Sequence, residues 1–212
     1  MTIECVTIAS AHRFDGNPIA SQHRLRYKSL IERQSWDVPY FNNMEYDQYD
    51  NPATIYFVWR DKGEVKAVAR LYPTTKPYML KDVFPHLVSF TDLPSDQSVW
   101  EGSRFCIDKN LPVEQRSRVI KELVIAYIEY CLAHNISSII GLMVPPYWKS
   151  VFINNGCEIE WLGETGLAGD GKKVRAGKLE INPELLENVK NKTGISENVL
   201  CYGKQDTLLH AC

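Results

Sequence analysis

The chain has 212 residues, of which 24% are charged and 44% hydrophobic, and its formal net charge is −2. This size and composition predict a single domain over residues 1–212, large enough to bury its own core. A charge balance so close to neutral gives no reason to expect bulk attraction to nucleic acid or to a membrane surface. The most apolar stretch, residues 123–133, contains Glu129 and is too short to span a bilayer, so no membrane span is expected.

The N-terminal residues show no basic start followed by a long apolar run, so no secretory signal is predicted. The cysteines lie far apart and form no C-x-x-C pair: Cys5, Cys106, Cys131, Cys157, Cys201 and Cys212. This spacing argues against a structural zinc site or a disulfide framework and favours reduced thiols. We therefore expect a cytoplasmic protein.

The first half of the chain predicts a helix followed by a hairpin. Residues 18–34 are rich in helix formers, with apolar residues spaced for one helical face. Residues 37–53 contain two prolines and three asparagines, which is typical of an irregular loop. Apolar alternation over residues 54–60 and 64–73, on either side of a Lys-Gly turn, predicts two antiparallel strands.

The second half predicts strands alternating with helices. Residues 98–107 and 137–144 have the pattern of buried strands, and a long helix is expected between them over residues 113–134, after a Pro-x-Glu start signal. Further elements are predicted as a short helix over 147–156, strands over 158–164 and 172–181, and a helix from residue 184. This order predicts a mixed α/β sheet with helices packed on it.

Charged and aromatic residues cluster in two early segments. Arg26 lies on the first predicted helix, ten residues before Trp36, and the loop that follows carries Glu45, Asp47 and Asp50. An arginine on a helix is usually solvated, and acidic loop residues usually bond to their own backbone. Carboxylates beside an aromatic ring also suit a cationic ligand, through charge attraction and the face of the ring.

Two strands carry charges where apolar residues are expected. Arg70 lies within an otherwise apolar strand, so its guanidinium needs a planar anionic partner, either a protein carboxylate or a ligand carboxylate. Glu101 and Arg104 lie three residues apart, and a regular pleat would place their side chains on opposite faces. Both can face one site if a bulge intervenes, for which Gly102 is suited.

Other catalytic motifs are absent from the sequence. The five histidines have no metal-ligand spacing, so no metal site is predicted. No nucleophile elbow, zinc-protease, dinucleotide-binding or P-loop pattern occurs. Three glycines near Asp170, at positions 166, 169 and 171, predict a hairpin turn rather than a phosphate cradle.

Taken in order, these residues resemble the autoinducer synthase family, the acyl-homoserine lactone synthases of bacterial quorum sensing. Leu30 departs from the family pattern, which has a phenylalanine there, in the wall of the nucleotide side of the site. The resemblance extends over residues 20–160 and is carried by Arg26, Trp36, Asp47 and Asp50 in EYDQYD, Arg70 in ARLYPT with PYML, and Glu101 and Arg104 in WEGSRF.

The resemblance implies a fold similar to the N-acetyltransferases, with a mixed central sheet flanked by helices. It implies S-adenosylmethionine and an acyl thioester as substrates, the acyl group being carried by acyl carrier protein or by coenzyme A. The products would be an N-acyl-homoserine lactone, 5′-methylthioadenosine and the free carrier. Since S-adenosylmethionine is consumed as a substrate, no cofactor and no metal is expected.

The resemblance also implies roles for individual residues. An arginine can fork onto the substrate carboxylate, and an aspartate or a tryptophan suits its positive groups. Acylation needs a neutral amine, so a base is required, and Glu101 is expected to serve directly or through one water. Binding of S-adenosylmethionine is implied for Arg26, Trp36, Asp47, Met79, Arg104 and Phe105, and catalysis for Glu101, Arg104, Asp47, Asp50 and Arg70.

In the family, the strand that precedes the predicted helix at residue 147 lines the acyl pocket. The corresponding residues here offer no hydroxyl to a 3-oxo group, which predicts a donor without that group, and their bulk predicts a short, branched or aromatic acyl chain. The pocket residues are Leu142, Met143, Val144, Tyr147 and Trp148. Because acyl carrier proteins are acidic, the donor is expected to dock on Arg116, Arg118, Lys121 and Lys149.

Two alternatives remain open at this point. An ordinary N-acetyltransferase of the same fold would hold pyrophosphate on a glycine-rich turn at a helix start, and residues 112–120 contain no glycine. A ligand-binding module without turnover would not need the combination of two aspartates, two arginines and Glu101. Both alternatives are therefore disfavoured.

Overall fold

A computed structural model describes residues 2–204. Nine of its strands form one sheet: β1 (Ile3–Val6), β4 (Ile55–Asp61), β5 (Glu64–Pro73), β6 (Val99–Ile107), β7 (Ser138–Met143), β8 (Glu160–Trp161), β9 (Gly166–Leu167), β10 (Lys173–Glu180) and β11 (Leu200–Cys201). Their order across the sheet is β11-β1-β4-β5-β6-β7-β10-β8, with β9 pairing to β10. A small separate hairpin joins β2 (Tyr40–Phe41) to β3 (Met44–Glu45).

The helices lie on both faces of the sheet. On one face, α3 (Val113–Ala133) and α5 (Pro183–Thr193) cover the larger apolar core, with Phe57 and Leu71 from the sheet. On the other face, α1 (Pro18–Arg26) packs on β5 and β6. Two short helices complete the set, α2 (Met79–Val83) and α4 (Pro145–Tyr147). The predicted mixed sheet flanked by helices is confirmed.

Two of the predicted helices are less regular than expected. The first ends as an α-helix at Arg26 and continues as a π-helical turn, Tyr27–Glu32. The predicted helix over 147–156 consists of α4, a π-helical turn and a 3₁₀ turn, and ends at Gly156 with a φ of 97°. A π-helical turn often marks a functional site, and both turns here flank the same cavity, described below.

The parallel pair β6 and β7 separates halfway along its length. The two strands pair from Val99 with Ser138 to Gly102 with Gly141. Their close approach there requires glycine, because a Cβ at position 141 would lie 2.7 Å from the Gly102 carbonyl oxygen. Beyond this point β6 pairs only with β5, and β7 only with β10. The separation leaves a cleft at the carboxyl ends of both strands.

Five cysteines fall within the described residues and are free thiols, four of them buried, whereas Cys212 lies outside that range. Across residues 2–204, no helix is long and apolar enough to cross a membrane. In the same range, no group of three or more histidine, cysteine, aspartate or glutamate side chains is arranged to hold a metal ion.

Candidate active site

A cavity of about 490 Å³ occupies the cleft between β6 and β7. One end is polar and adjoins the loop after β3, and the other end is apolar and adjoins β7 and α4. Most of the sequence-predicted site residues line it: Trp36, Asp47, Met79, Arg104, Phe105, Leu142, Met143, Val144, Tyr147 and Trp148. Within the described residues, the lining does not include Arg26, Asp50, Arg70 or Glu101.

Arg26 is a buried partner of two carboxylates and makes no contact with the cavity. Its side chain has no exposed area, and it forks onto Asp50 with Nη1–Oδ1 and Nη2–Oδ2 distances of 2.7 and 2.8 Å. Its Nε lies 2.5 Å from Oε2 of Glu45. All three of its nitrogens thus bond to groups inside the protein, and binding of a substrate carboxylate by Arg26 stays a prediction.

Arg70 has the same kind of environment on the central strand β5. Its Nη1 and Nη2 lie 2.7 and 3.0 Å from the two carboxylate oxygens of Asp47, and Nη1 also lies 3.1 Å from Asp50. Its Nε donates to the Ser103 hydroxyl at 2.9 Å. Of the two readings left open by the sequence, the structure shows the protein ion pair. Arg70 therefore holds the two aspartates from the side that faces away from the cavity.

Arg104 is the arginine of this cluster that reaches the cavity. It binds Asp47 through Nη2 at 2.6 Å and Glu45 through Nε at 3.1 Å, while Nη1 lies 3.3 Å from the sulfur of Met79. Its φ of 54° and the shifted register opposite Arg70 show a bulge in β6. A bulge was the condition for Glu101 and Arg104 to face one site, and Gly102 was suited to it. The bulge occurs two residues later and turns Arg104 towards Glu45.

Three arginines and three carboxylates thus form one neutral cluster, called here the ion cluster: Arg26, Arg70, Arg104, Glu45, Asp47 and Asp50. Burial by itself would raise the pKa of each carboxyl, but the adjacent guanidinium groups outweigh it and lower all three pKa values. All three carboxylates are therefore ionised at neutral pH. Glu45 was noted as an acidic loop residue but not predicted as a site residue.

Glu101 lies behind the cavity wall. Its side chain has no exposed area, and its two oxygens accept hydrogen bonds from the backbone N–H groups of Leu80 at 2.6 Å and Met79 at 3.1 Å. These N–H groups begin α2, so the carboxylate holds that helix against β6. Burial raises the pKa of Glu101 to about 7, although the two N–H groups and two arginines favour the charged form.

The apolar end is built from β7 and the turn after α4. Trp148 is buried, and its indole N–H donates to the Arg175 carbonyl at 2.9 Å, which fixes the ring over β10. Trp161 meets the same ring edge to face at 5.9 Å between centroids. Leu142, Met143 and Val144 are half-buried and complete the wall. This end can accept an acyl chain without burying an unpaired polar group.

The four basic residues expected to dock the donor differ in their surroundings. Arg118 already pairs with Glu122 at 2.8 Å and lies 3.6 Å from Glu197. Arg116 donates to the backbone carbonyl of Lys109. Lys121 is half-buried and Lys149 is exposed. The positive charge of Arg118 is thus partly neutralised by neighbouring acids.

Comparison with known proteins places this architecture in a class. The fold matches a probable acetyltransferase from Staphylococcus epidermidis with a TM-score of 0.51 at 14% identity, over 86% of this chain and 98% of that one. A cleft between two parting parallel strands, with a polar cluster at one end and an apolar wall at the other, is suited to acyl transfer. The expected acetyltransferase-like fold is confirmed.

The sequence comparisons then define the family. The autoinducer synthase model matches residues 12–189, so the chain belongs to the autoinducer synthase family. An isovaleryl-homoserine lactone synthase from Bradyrhizobium diazoefficiens is 28% identical over 91% of this chain and 86% of that protein. An acyl-homoserine-lactone synthase from Pseudomonas aeruginosa is 46% identical over 41% of this chain and 44% of that protein.

The similarity to a solved structure extends over nearly the whole chain. That structure is a CoA-dependent acyl-homoserine lactone synthase, BjaI, with SAM and isopentyl-CoA. The TM-score is 0.84 at 26% identity, over 97% of this chain and 95% of that one.

Proposed function

We propose that this protein is an acyl-homoserine lactone synthase that uses acyl-CoA carrying a short, branched or aromatic acyl group without a 3-oxo substituent. The amine of S-adenosylmethionine attacks the thioester and is acylated. A carboxylate oxygen of the substrate then attacks the carbon next to sulfur, closing the lactone and releasing 5′-methylthioadenosine. The observation that carries the proposal is one cavity that joins the ion cluster to an apolar acyl wall.

The polar end suits S-adenosylmethionine in one orientation. Nη1 of Arg104 has only the Met79 sulfur as a partner among the described residues, so it can donate to the substrate carboxylate. Asp47 lines the cavity and suits the substrate amine, and Trp36 offers a ring face to a positive group. Arg26, Arg70 and Asp50 act as positioning residues, since they hold Asp47 and Arg104 without reaching the cavity.

Glu101 is our candidate for the base that takes the amine proton. Because its carboxylate is fully buried and does not line the cavity, it acts through a water rather than directly. A pKa raised to about 7 by burial is well matched to proton transfer near neutral pH. The two backbone bonds hold its oxygens in a fixed orientation and leave further lone pairs for the water.

The parted strands suit the acyl donor. Past Gly102 the β6 backbone has no partner on β7, so its N–H groups can bind the thioester oxygen as negative charge develops. The acyl chain then lies along Leu142 and Met143 towards Trp148. The absence of a hydroxyl among these residues supports a donor without a 3-oxo group, because a buried oxygen with no partner costs roughly 1–3 kcal/mol.

Coenzyme A is the proposed carrier. The similar BjaI structure is named as CoA-dependent, and a relative that aligns over most of the chain is an isovaleryl-homoserine lactone synthase. Pairing of Arg118 with two glutamates weakens the case for docking an acidic protein there. We propose that the phosphates of coenzyme A bind near Arg116, Lys121 and Lys149 instead.

A donor competition assay tests the proposal. Purified protein is incubated with S-adenosylmethionine and a mixture of straight, branched and aromatic acyl groups, each supplied on coenzyme A and on acyl carrier protein, and lactones are identified by mass spectrometry. We expect lactones from short branched or aromatic acyl-CoA. Lactone formed mainly from carrier-protein donors would contradict the proposed carrier, and simple N-acylation without lactone would favour an ordinary N-acyltransferase.

A further inference from the structure

Two glycines lie opposite each other on neighbouring strands of the sheet. Gly141 of β7 and Gly177 of β10 are direct partners in the antiparallel pair. Neither has a positive φ, so the backbone conformation at these positions does not itself require glycine. A glycine inside a strand gives up side-chain packing, and it often marks a place where another group comes close to the backbone. Here that group is the indole ring of Trp148.

The space in front of Gly177 is filled by this ring. A Cβ at position 177 would lie 3.2 and 3.3 Å from Cζ2 and Cη2 of Trp148, which is closer than ordinary van der Waals contact. A Cβ at position 141 would lie 4.0 Å from the same Cη2 atom. The benzene edge of the ring therefore rests on the bare backbone of the glycine pair, nearer to the sheet than an alanine at position 177 would allow.

The same ring forms part of the apolar end of the cavity. Trp148 and Gly141 line the cavity, and so does Leu179, the next residue of β10 on the face of Gly177. Gly177 itself is not part of the lining, and Trp148 lies over it. The room at the apolar end thus depends on how close the Trp148 ring lies to the sheet, and a residue that does not reach the cavity sets that distance.

The surroundings of the ring decide where it would move. Trp161, which pairs with Gly177 from β8, meets the Trp148 ring edge to face at 5.9 Å between centroids. The guanidinium of Arg175 lies 4.2 Å from the Trp161 ring centroid and holds that ring from its other neighbours. The opposite side of Trp148 faces Gly141, where there is no side chain. A ring pushed away from Gly177 therefore moves over Gly141 and into the cavity.

We propose that Gly177 is a positioning residue that sets the length of acyl chain the enzyme accepts, because it lets the Trp148 ring lie close to the sheet and clear of the cavity. This inference rests on the proposed function, in which the acyl chain occupies the apolar end. It adds a residue outside the pocket to those that select the donor. If the glycine served core packing alone, its replacement would change stability and leave donor choice as it is.

Alanine at position 177 makes two close contacts, which have different consequences. Its methyl group would lie 2.7 Å from Cγ2 of Ile159, in addition to the two ring atoms of Trp148. Ile159 does not line the cavity, so relief of this contact changes stability without changing the shape of the pocket. Relief of the contact with Trp148 moves a wall of the cavity. The two effects can be separated by a second substitution.

Steady-state kinetics with straight acyl-CoA donors, lengthened by one methylene at a time, tests this role. The quantity measured is the ratio of kcat/KM for the longest donor that the wild type uses to kcat/KM for a shorter donor. We expect Gly177→Ala to lower this ratio by about tenfold, the scale of one methylene that no longer fits an apolar pocket. The Kd of S-adenosylmethionine should stay nearly unchanged, because the altered contact lies at the apolar end.

Two further variants assign the effect to one contact. Ile159→Ala is the matched control: alone it should leave the ratio unchanged, and combined with Gly177→Ala it should recover stability while the ratio stays low. Trp148→Phe removes the Cζ2 and Cη2 atoms that the new methyl group would meet. In that background, Gly177→Ala should no longer lower the ratio.

An unchanged ratio in Gly177→Ala, alone and together with Ile159→Ala, would overturn the proposal and leave core packing as the role of this glycine. A ratio that falls equally in the Trp148→Phe background would also overturn it, because the effect would not pass through the ring. A wild-type protein that forms no lactone from any acyl-CoA would instead contradict the proposed function, so the two failures are distinguishable.

Discussion

The two ends of the cavity are held in place by different forces. At the polar end, Arg26 and Arg70 have no exposed side-chain area, and each binds at least two carboxylates. At the apolar end, the backbone of Leu142 and Met143 pairs with β10, and the half-buried side chains of Leu142, Met143 and Val144 are held by packing. The polar end is therefore a network in which each charge depends on the others, whereas the apolar end is a wall whose residues act separately.

This difference predicts how each end responds to change. Removing one charge from the ion cluster leaves a buried charge without its partner, which is strongly destabilising. Replacing one apolar side chain by another of similar size changes packing by a smaller amount. Substrate recognition by charge is thus tied to the stability of the fold, while acyl selectivity is not.

The largest expected effect comes from Arg26→Met. The change removes the forked partner of Asp50 and the short contact to Glu45, and we expect it to lower the free energy of unfolding by about 3–5 kcal/mol. Urea denaturation would measure the loss. Since the pKa of Asp50 is lowered in the folded state, the wild type is stabilised above its ordinary pKa of 3.8 and loses this stability as the pH falls below it.

Lys178→Met is the control for the ion cluster. Lys178 pairs with Glu160 and Glu180, whose side chains are 58% and 55% exposed, so its loss should cost less than about 1 kcal/mol. Equal losses in the free energy of unfolding for Arg26→Met and Lys178→Met would show that an ion pair in the buried cluster contributes no more than an exposed one.

The next largest effect is expected at Glu101, which lies behind the cavity wall. Glu101→Gln should lower kcat by ~10²-fold, the usual scale for a positioned base, while the Kd of S-adenosylmethionine stays nearly unchanged. Wild-type kcat should rise with pH through about 7 as the Glu101 carboxyl ionises, and this limb should be absent from the variant. The unfolded chain loses this proton above about pH 4.5, whereas the folded state keeps it up to about pH 7. Wild-type stability therefore falls as the pH rises between these two values.

Glu129→Gln is the matched control. This carboxylate lies on α3, pairs with Lys190, accepts a hydrogen bond from the Val199 backbone and does not line the cavity, so kcat should not change. If the Glu101→Gln enzyme keeps a nearly normal kcat, Glu101 is not the base, and its role is to hold α2 against β6.

The smallest expected effect is a change of donor at the apolar end. Leu142→Thr places a hydroxyl where a 3-oxo group would lie, and we expect the kcat/KM ratio of 3-oxo to unsubstituted acyl-CoA to rise by about tenfold, with little loss of stability. Competition between two donors of equal length would measure it. The same substitution at Leu167, which is 57% exposed, should leave the ratio unchanged; a wild type that already prefers the 3-oxo donor would contradict the proposed pocket.

Elements with a clear pattern were predictable from the sequence. The helix expected over 113–134 is Val113–Ala133, and the hairpin over 54–73 was placed to within a residue. The strand β1 was missed because four residues give too short an alternation to recognise. The π-helical turn after Arg26 was also missed, since its sequence has an ordinary helical pattern and the wider turn is a product of tertiary packing.

The residues of the site were easier to find than their partners. The sequence indicated all three arginines and all three acids of the ion cluster, but not that Arg26 and Arg70 are fully enclosed. Their burial depends on how α1 packs over β5, which local patterns do not encode. The contact between the Lys172 ammonium and the Trp36 ring was missed for the same reason, because these residues lie 136 positions apart and no spacing signal connects them.

The glycine pair at the point where β6 and β7 part also limits how this enzyme can be altered. Any side chain at Gly141 would press on the Gly102 carbonyl oxygen, so the distance between the strands is fixed at that point. A library designed for new donor chains should therefore keep both glycines and vary residues 142–144. Those residues lie beyond the point where β6 and β7 part and outside the ion cluster. The range of acyl donors can therefore change between related enzymes while the residues of the polar end stay the same.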